Sequence, residues 1–144
     1  MKLVKKLRVR FGEIDEAGIV YYPRFFHYYH QLFEDFFYDY LQLAYHEVLN
    51  DKNYGLPCVE IQASFKKPLS YGTSCSISLE IEQIGRKSII WKYEIVLDAT
   101  QDIAAEARIT TVGVQMKTFQ STEVPDFLRP KLEAFQKATG QIEI

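Results

Sequence analysis

The sequence predicts an α+β fold in which an antiparallel sheet wraps one long central helix. Two patterns predict it. One stretch, from Pro23 to about Leu43, carries apolar residues at helical spacing on nearly every side. The chain from Val59 to Met116 changes to a period of two, as half-buried strands require. A helix with so broad an apolar surface cannot lie against water, so the strands must cover it. No linker, repeat or low-complexity segment separates the two patterns. Residues 1–144 therefore read as one domain.

The first strand is expected from Lys2 to Phe11, with Leu7, Val9 and Phe11 on one face and Arg8 and Arg10 on the other. Gly12 to Gly18 holds two glycines and three acids and reads as a loop. Pro23 suits the first helical position, where its missing N–H costs nothing. Phe25, Tyr28, Tyr29, Leu32, Phe36 and Tyr40 then follow i, i+3, i+4 spacing, widened by Phe26, Phe33 and Phe37. Ala44 to Lys52 reads as a second short helix, broken by Asn53-Tyr54-Gly55 and Pro57. Val59, Ile61, Ala63 and Phe65 alternate with polar residues, and Pro68 and Tyr71-Gly72 close that strand. Ile77, Leu79 and Ile81 mark the next. After Ile84-Gly85-Arg86-Lys87, the residues Ile89, Trp91, Tyr93, Ile95 and Leu97 form one face of a long strand. Asp98 to Asp102 is a turn. Ile103, Ala105, Ala107 and Ile109 share a face of the last strand. The apolar phase then shifts to Val112, Val114 and Met116, which predicts a bulge near Thr111. A final helix is expected from Pro125 to Lys137.

Composition excludes several classes of function. Hydrophobic residues are 47% and charged residues 25%, which is globular rather than disordered. A net charge of −2 leaves no basic excess for a nucleic-acid backbone. Cys58 and Cys75 are too few for a disulfide framework and lack metal-ligand spacing; Cys58 is expected as a small buried hydrophobe. No apolar run is long enough to span a membrane, and no apolar signal core follows the basic start, so a cytoplasmic location is expected. Aromatics reach 15% of the chain and crowd between Tyr21 and Tyr45. They serve a core, an apolar or aromatic ligand, or both, with only the helix's N-terminal turn expected to touch ligand.

The densest chemistry lies in Arg10-Phe-Gly-Glu-Ile-Asp15-Glu-Ala-Gly18-Ile-Val-Tyr21-Tyr22-Pro23. A carboxylate in a glycine-bounded loop precedes a helix whose N-cap, Tyr22, has no side-chain acceptor for the first N–H groups. Those donors are left to hold a ligand oxygen, and a carboxylate beside them suits acyl transfer. The bland alternative is an Asp15 or Glu13 that merely caps or salt-bridges. His27, His30 and Glu34 share a helix face and admit a metal, but no second ligand cluster accompanies them, and His30 with Glu34 suits a simple i, i+4 pair.

The stretch from Phe11 to Pro23 closely resembles the active-site loop of the 4-hydroxybenzoyl-CoA thioesterase family, which has the hotdog fold. Ala63-Ser64-Phe65, Ser70-Tyr71, Arg86-Lys87-Ser88 and Glu123-Val124-Pro125 resemble further landmarks in the same order, so the likeness covers almost the whole chain. The resemblance implies that Asp15 acts as nucleophile or general base on a thioester. The Tyr22 backbone N–H would polarise the carbonyl, and Gly18 would allow close backbone approach. Tyr21 would stand beside the acyl group, with Pro23, Ser64 and Ser88 lining the site. Arg86 and Lys87 would meet coenzyme A phosphates; a solvated hairpin turn is their bland alternative. His30 stands where many relatives carry a carboxylate on the long helix, and is counted among the substrate-binding residues. No cofactor or metal is implied, since coenzyme A belongs to the substrate. The site would lie between subunits of a dimer or tetramer. Two functions stay open: a thioesterase acting on an aromatic or short- to medium-chain acyl-CoA, and a non-catalytic module that binds acyl-CoA or acyl-carrier protein. A hydratase is weaker, because no matching His–Asp arrangement is present.

Overall fold

A computed structural model describes residues 1–144. The elements run β1 (Lys2–Arg8), α1 (Pro23–Asp35), α2 (Tyr45–Asn50), β2 (Tyr54–Gly55), β3 (Cys58–Phe65), β4 (Ser74–Ile84), β5 (Ser88–Leu97), β6 (Ile103–Val112), β7 (Val114–Gln115), α3 (Arg129–Lys137) and β8 (Gln141–Glu143). Six strands form one sheet in the order β3-β6-β5-β4-β1-β8, and β2 pairs with β7 beside it. Every pair is antiparallel except β1 with β8.

The period-two pattern sets the buried face. Ile89, Trp91, Tyr93 and Ile95 of β5 are all buried. Phe33 and Phe36 place their rings edge-on against Trp91, at 5.2 and 5.8 Å between centroids. The indole N–H of Trp91 donates to Thr111 Oγ1 at 2.9 Å, so its burial leaves no orphan donor. Helix α3 closes the far end, with Phe135 packed on Phe36 and Tyr40.

Four expectations need correction. The helical stretch is not one long regular helix. α1 ends at Asp35, and Phe36–Tyr40 form a π-helical turn in which the Leu41 N–H reaches Phe36 O at 3.0 Å. The wider turn brings the adjacent pair Phe36 and Phe37 both into the core. Gln42, at φ +55°, ends it and donates its side-chain amide to Asp39 O. β1 stops at Arg8 because Glu13 reaches back to accept the Arg10 N–H at 2.6 Å, winding Phe11–Glu13 into a tight turn. Phe11 is therefore 74% exposed rather than part of the core. The bulge opposite Thr111 lies in β3, between Cys58 and Glu60, while β6 keeps its register with β5 there. Finally, Cys58 is exposed, because β3 is an edge strand whose eight residues are all exposed. β8 was not foreseen, since three residues with one half-buried side chain carry no readable period. No helix is long and apolar enough to cross a membrane.

The phase shift after β6 has its cause at Gly113, where the chain leaves the sheet to pair with β2. A Cβ there would lie 2.6 Å from Tyr54 Oη and 2.8 Å from Thr122 O. Gly113→Ala is expected to lower stability by about 1–3 kcal/mol through overpacking, read as a lower denaturant midpoint at unchanged slope.

Candidate active site

The loop that carries Asp15 is a tight hairpin. The Gly18 N–H donates to Asp15 O at 3.0 Å, and the Asp15 N–H donates to Ile19 O at 2.9 Å. That is a type I turn followed by a left-handed residue, and Gly18 supplies it at φ +80°. A Cβ on Gly18 would meet nothing within 4 Å, so within one chain the glycine serves the turn rather than a close approach. Asp15 Oδ1 accepts the Ala17 N–H at 2.8 Å, which fixes the carboxylate, while Oδ2 has no partner. The side chain is exposed. Its own chain therefore leaves the carboxylate open to water.

The hairpin is pinned to the start of α1. Ile14 bridges Val20, Ile19 bridges Ser70, and the Tyr21 N–H donates to Glu13 O at 3.0 Å. Tyr22 is the N-cap and Pro23 the first helical residue. The Arg24 and Phe25 N–H groups turn back onto Tyr21 O and Tyr22 O. The Tyr22 N–H has no acceptor in the protein, at the positive end of the helix dipole. Exposed rings surround it. Tyr21 lies 5.5 Å from Tyr22, Tyr22 lies 6.4 Å from Phe65, and Phe11 lies 5.8 Å from Tyr71. So many exposed aromatics in one patch mark a binding surface.

One helical turn beyond Tyr22 a cavity of about 370 Å³ opens along the same helix. Phe26, His30 and Phe33 form its helical wall and Trp91 and Tyr93 part of its floor. The helix thus offers ligand space well past its N-terminal turn, contrary to expectation. His30 sits at the rim, its Nδ1 3.8 Å from Glu34 Oε1, while His27 contacts Gln31. No group of three His, Cys, Asp or Glu side chains converges as metal ligands would.

The other expected site residues lie elsewhere in the chain. Ser64 points away from the helix, into a polar groove on the outer sheet face with Gln62 and Arg108. Its neighbour Phe65 takes the helix side, and a period of two allows only one of them there. Arg86, Lys87 and Ser88 form the β4–β5 hairpin, where the Gly85 N–H donates to Ser88 O. Arg86 pairs with Glu123 at 2.9 Å and Lys87 donates to Ser121 Oγ at 3.2 Å. The Asp15 hairpin meets Ser70, just before β4 begins, whereas Arg86 follows its end. At about 3.3 Å per residue, the eleven residues of β4 hold the two roughly 30 Å apart. One chain does not bring them together.

Residues 9–132 match the thioesterase-like superfamily. The chain belongs to that superfamily. The superfamily is broader than the 4-hydroxybenzoyl-CoA thioesterase family that the loop resembles. The chain is 30% identical to a 1,4-dihydroxy-2-naphthoyl-CoA hydrolase of Prochlorococcus marinus (strain NATL2A), over 69% of this chain and 68% of that one. The solved structure of a gentisyl-coenzyme A thioesterase aligns at 28% identity with a TM-score of 0.77, over 88% of this chain and 98% of that one. A 1,4-dihydroxy-2-naphthoyl-CoA thioesterase from Synechocystis aligns with a TM-score of 0.86 at 19% identity, over 96% and 100% of the two chains, and establishes the hotdog fold. As a member of the thioesterase-like superfamily, the chain is a thioester hydrolase.

Sequence reasoning passed over the cavity residues Tyr45 and Thr111. The one available signal was a lone tryptophan, Trp91, whose buried N–H needs an acceptor on a neighbouring strand.

Proposed function

We propose that the protein hydrolyses an aromatic acyl-CoA to the free acid and coenzyme A, working as a homodimer or a tetramer built from such dimers. The observation that carries this reading is the pairing of an unpartnered Tyr22 N–H with the Asp15 carboxylate on one pinned hairpin and helix start. The thioester carbonyl oxygen accepts from Tyr22, which stabilises the negative charge that develops on it. Asp15 either attacks the carbonyl carbon, giving an acyl anhydride that water cleaves, or takes a proton from the attacking water. In both cases coenzyme A leaves as the thiol after protonation. The relatives' named substrates, dihydroxynaphthoyl and gentisyl thioesters, support an aromatic acyl group.

Two features support the dimer. β3 is an edge strand, wholly exposed, with Val59, Ile61 and Phe65 along it. Such an edge is a ready template for pairing. Phe65 lies at the Tyr22 end of the sheet, and Cys58 registers through Thr111 and Ile89 with the Ile84 end, next to Arg86. Antiparallel pairing of β3 with its own copy brings the Asp15 end of one chain to the Arg86 end of the other. The pair separated in one chain is thereby joined, so Arg86 and Lys87 of one copy meet the phosphates of a substrate held by Asp15 of its partner.

The test is release of free thiol from a panel of aromatic and aliphatic acyl-CoAs. Release from aromatic members is expected; binding without release from any member would overturn hydrolysis. Arg86→Ala should raise KM for coenzyme A thioesters about tenfold with little change in kcat, and flatten the dependence on salt. An unchanged KM would return Arg86 to its Glu123 pair and the solvated turn.

A further inference from the structure

Two hydroxyls at the far end of the cavity have their acceptor role already fixed. Thr111 Oγ1 takes the Trp91 indole N–H at 2.9 Å, and Tyr45 Oη takes the Leu56 backbone N–H at 2.9 Å. Both partners are N–H groups and can only donate. Each hydroxyl therefore accepts, and its own hydrogen remains to be placed. Neither has an acceptor within hydrogen-bond reach in the protein. Thr111 is only 5% exposed, so water does not readily serve it. Burial pushes the Tyr45 phenol above its ordinary pKa, more strongly than the Leu56 bond lowers it, so it stays protonated and a donor at neutral pH. Both residues line the same cavity. Tyr45 and Trp91 flank Phe33, at 5.0 and 5.2 Å. Leu56, whose N–H Tyr45 accepts, stands two residues before Cys58, the partner of Thr111 across the sheet, so both hydroxyls belong to the same end of β3.

The geometry points to Thr111 and Tyr45 as specificity-determining residues that read an acceptor oxygen on the far side of the acyl group. The ligand class is an aryl acyl group bearing a hydroxyl or oxo oxygen on the ring edge remote from its thioester. The remaining wall, Phe26, Phe33 and Trp91, is apolar and fits the ring itself. This assignment rests on the thioesterase reading above for the thioester end. Phe33 lies about 16 Å along the helix from Tyr22, farther than an aryl group spans. The thioester is therefore held by the partner copy, whose Tyr22 end faces the Cys58 end in the β3 pairing.

The experiment compares 6-hydroxy-2-naphthoate with 2-naphthoate, as free acids by calorimetry and as coenzyme A thioesters by turnover. The wild-type protein should favour the hydroxylated member about tenfold. Thr111→Val should cut that preference to about twofold or less, Thr111→Ser should retain it, and Tyr45→Phe should lower it, the preference being read in each protein as the ratio between the two ligands. Thermal melts of each variant separate lost selectivity from lost fold, since Thr111→Val orphans the Trp91 N–H and Thr111→Ser does not. Equal preference in all four proteins, or none in the wild type, overturns the assignment. A Thr111-dependent preference for the free hydroxy acid without thioester turnover supports the pocket and rejects hydrolysis. Asp15-dependent turnover with no such preference does the reverse.

Discussion

Asp15→Asn is expected to leave the fold and substrate binding intact while lowering kcat for acyl-CoA hydrolysis at least a hundredfold, or about 2.7 kcal/mol of transition-state stabilisation. The substitution isolates chemistry from structure for a local reason. The structural duty of Asp15 is to accept the Ala17 N–H through Oδ1. An asparagine carbonyl does that equally well and favours the same turn. What the amide lacks is the charge and basicity of the second oxygen, which has no partner in the protein. Neither nucleophilic attack nor proton abstraction survives its loss. Asp15→Ala is the contrasting variant. It loses the turn bond as well, so the hairpin loosens and KM should rise alongside the fall in kcat. The measurement is steady-state thiol release with a thermal melt of each protein. A kcat within threefold of wild type for Asp15→Asn would remove Asp15 from the chemistry and leave the superfamily's reaction to some other group.

Which features were readable depended on how locally they are specified. The glycine-bounded loop at 12–18 and the proline-led helix start obey short-range rules, and both stand where those rules put them; that the loop closes as a hairpin at Asp15–Gly18 came only with the structure. The strands from β4 to β6 were readable because one face is buried and the apolar positions recur at every second residue along most of their length. Phe11 was misplaced by the same logic. Its alternation with Val9 was genuine, but a single bond from Glu13 to the Arg10 N–H ended the strand before it. The π-helical turn left no trace in the pattern, because one extra residue in a stretch apolar on nearly every side does not break its period. Ser64 was given to the site by the resemblance of Ala63-Ser64-Phe65 to a family landmark, and the alternation of the strand turns it to the face opposite Phe65. The cavity was hardest to see. Phe26, His30 and Phe33 carry the signature of core packing, and nothing in their spacing distinguishes a filled core from an open wall.

Val59→Lys is expected to separate the subunits and reduce kcat/KM about a hundredfold while the chain stays folded. Val59 is exposed and sits at the β3 bulge, so a lysine there displaces nothing inside the chain. In a β3–β3 pair each lysine is carried into the seam on what was an edge strand, and desolvating that charge there opposes pairing. Sedimentation should show a monomer, and the thermal melt should lose only the dimer's contribution, growing independent of protein concentration. Activity falls because the roughly 30 Å between Asp15 and Arg86 in one chain is no longer bridged by a second copy. An active monomer would refute the shared site, and an intact dimer would place the interface away from β3. Mixing supplies the sharper arm. Asp15→Asn and the double variant Arg86→Ala, Lys87→Ala each impair every site of their own dimers. In a mixed dimer one site receives both defects and the other receives neither. A one-to-one mixture with free exchange is half mixed dimers, so about a quarter of wild-type activity should return. If catalytic and phosphate-binding groups came from the same chain, every site in the mixture would keep one defect and no activity would return beyond the average of the two proteins.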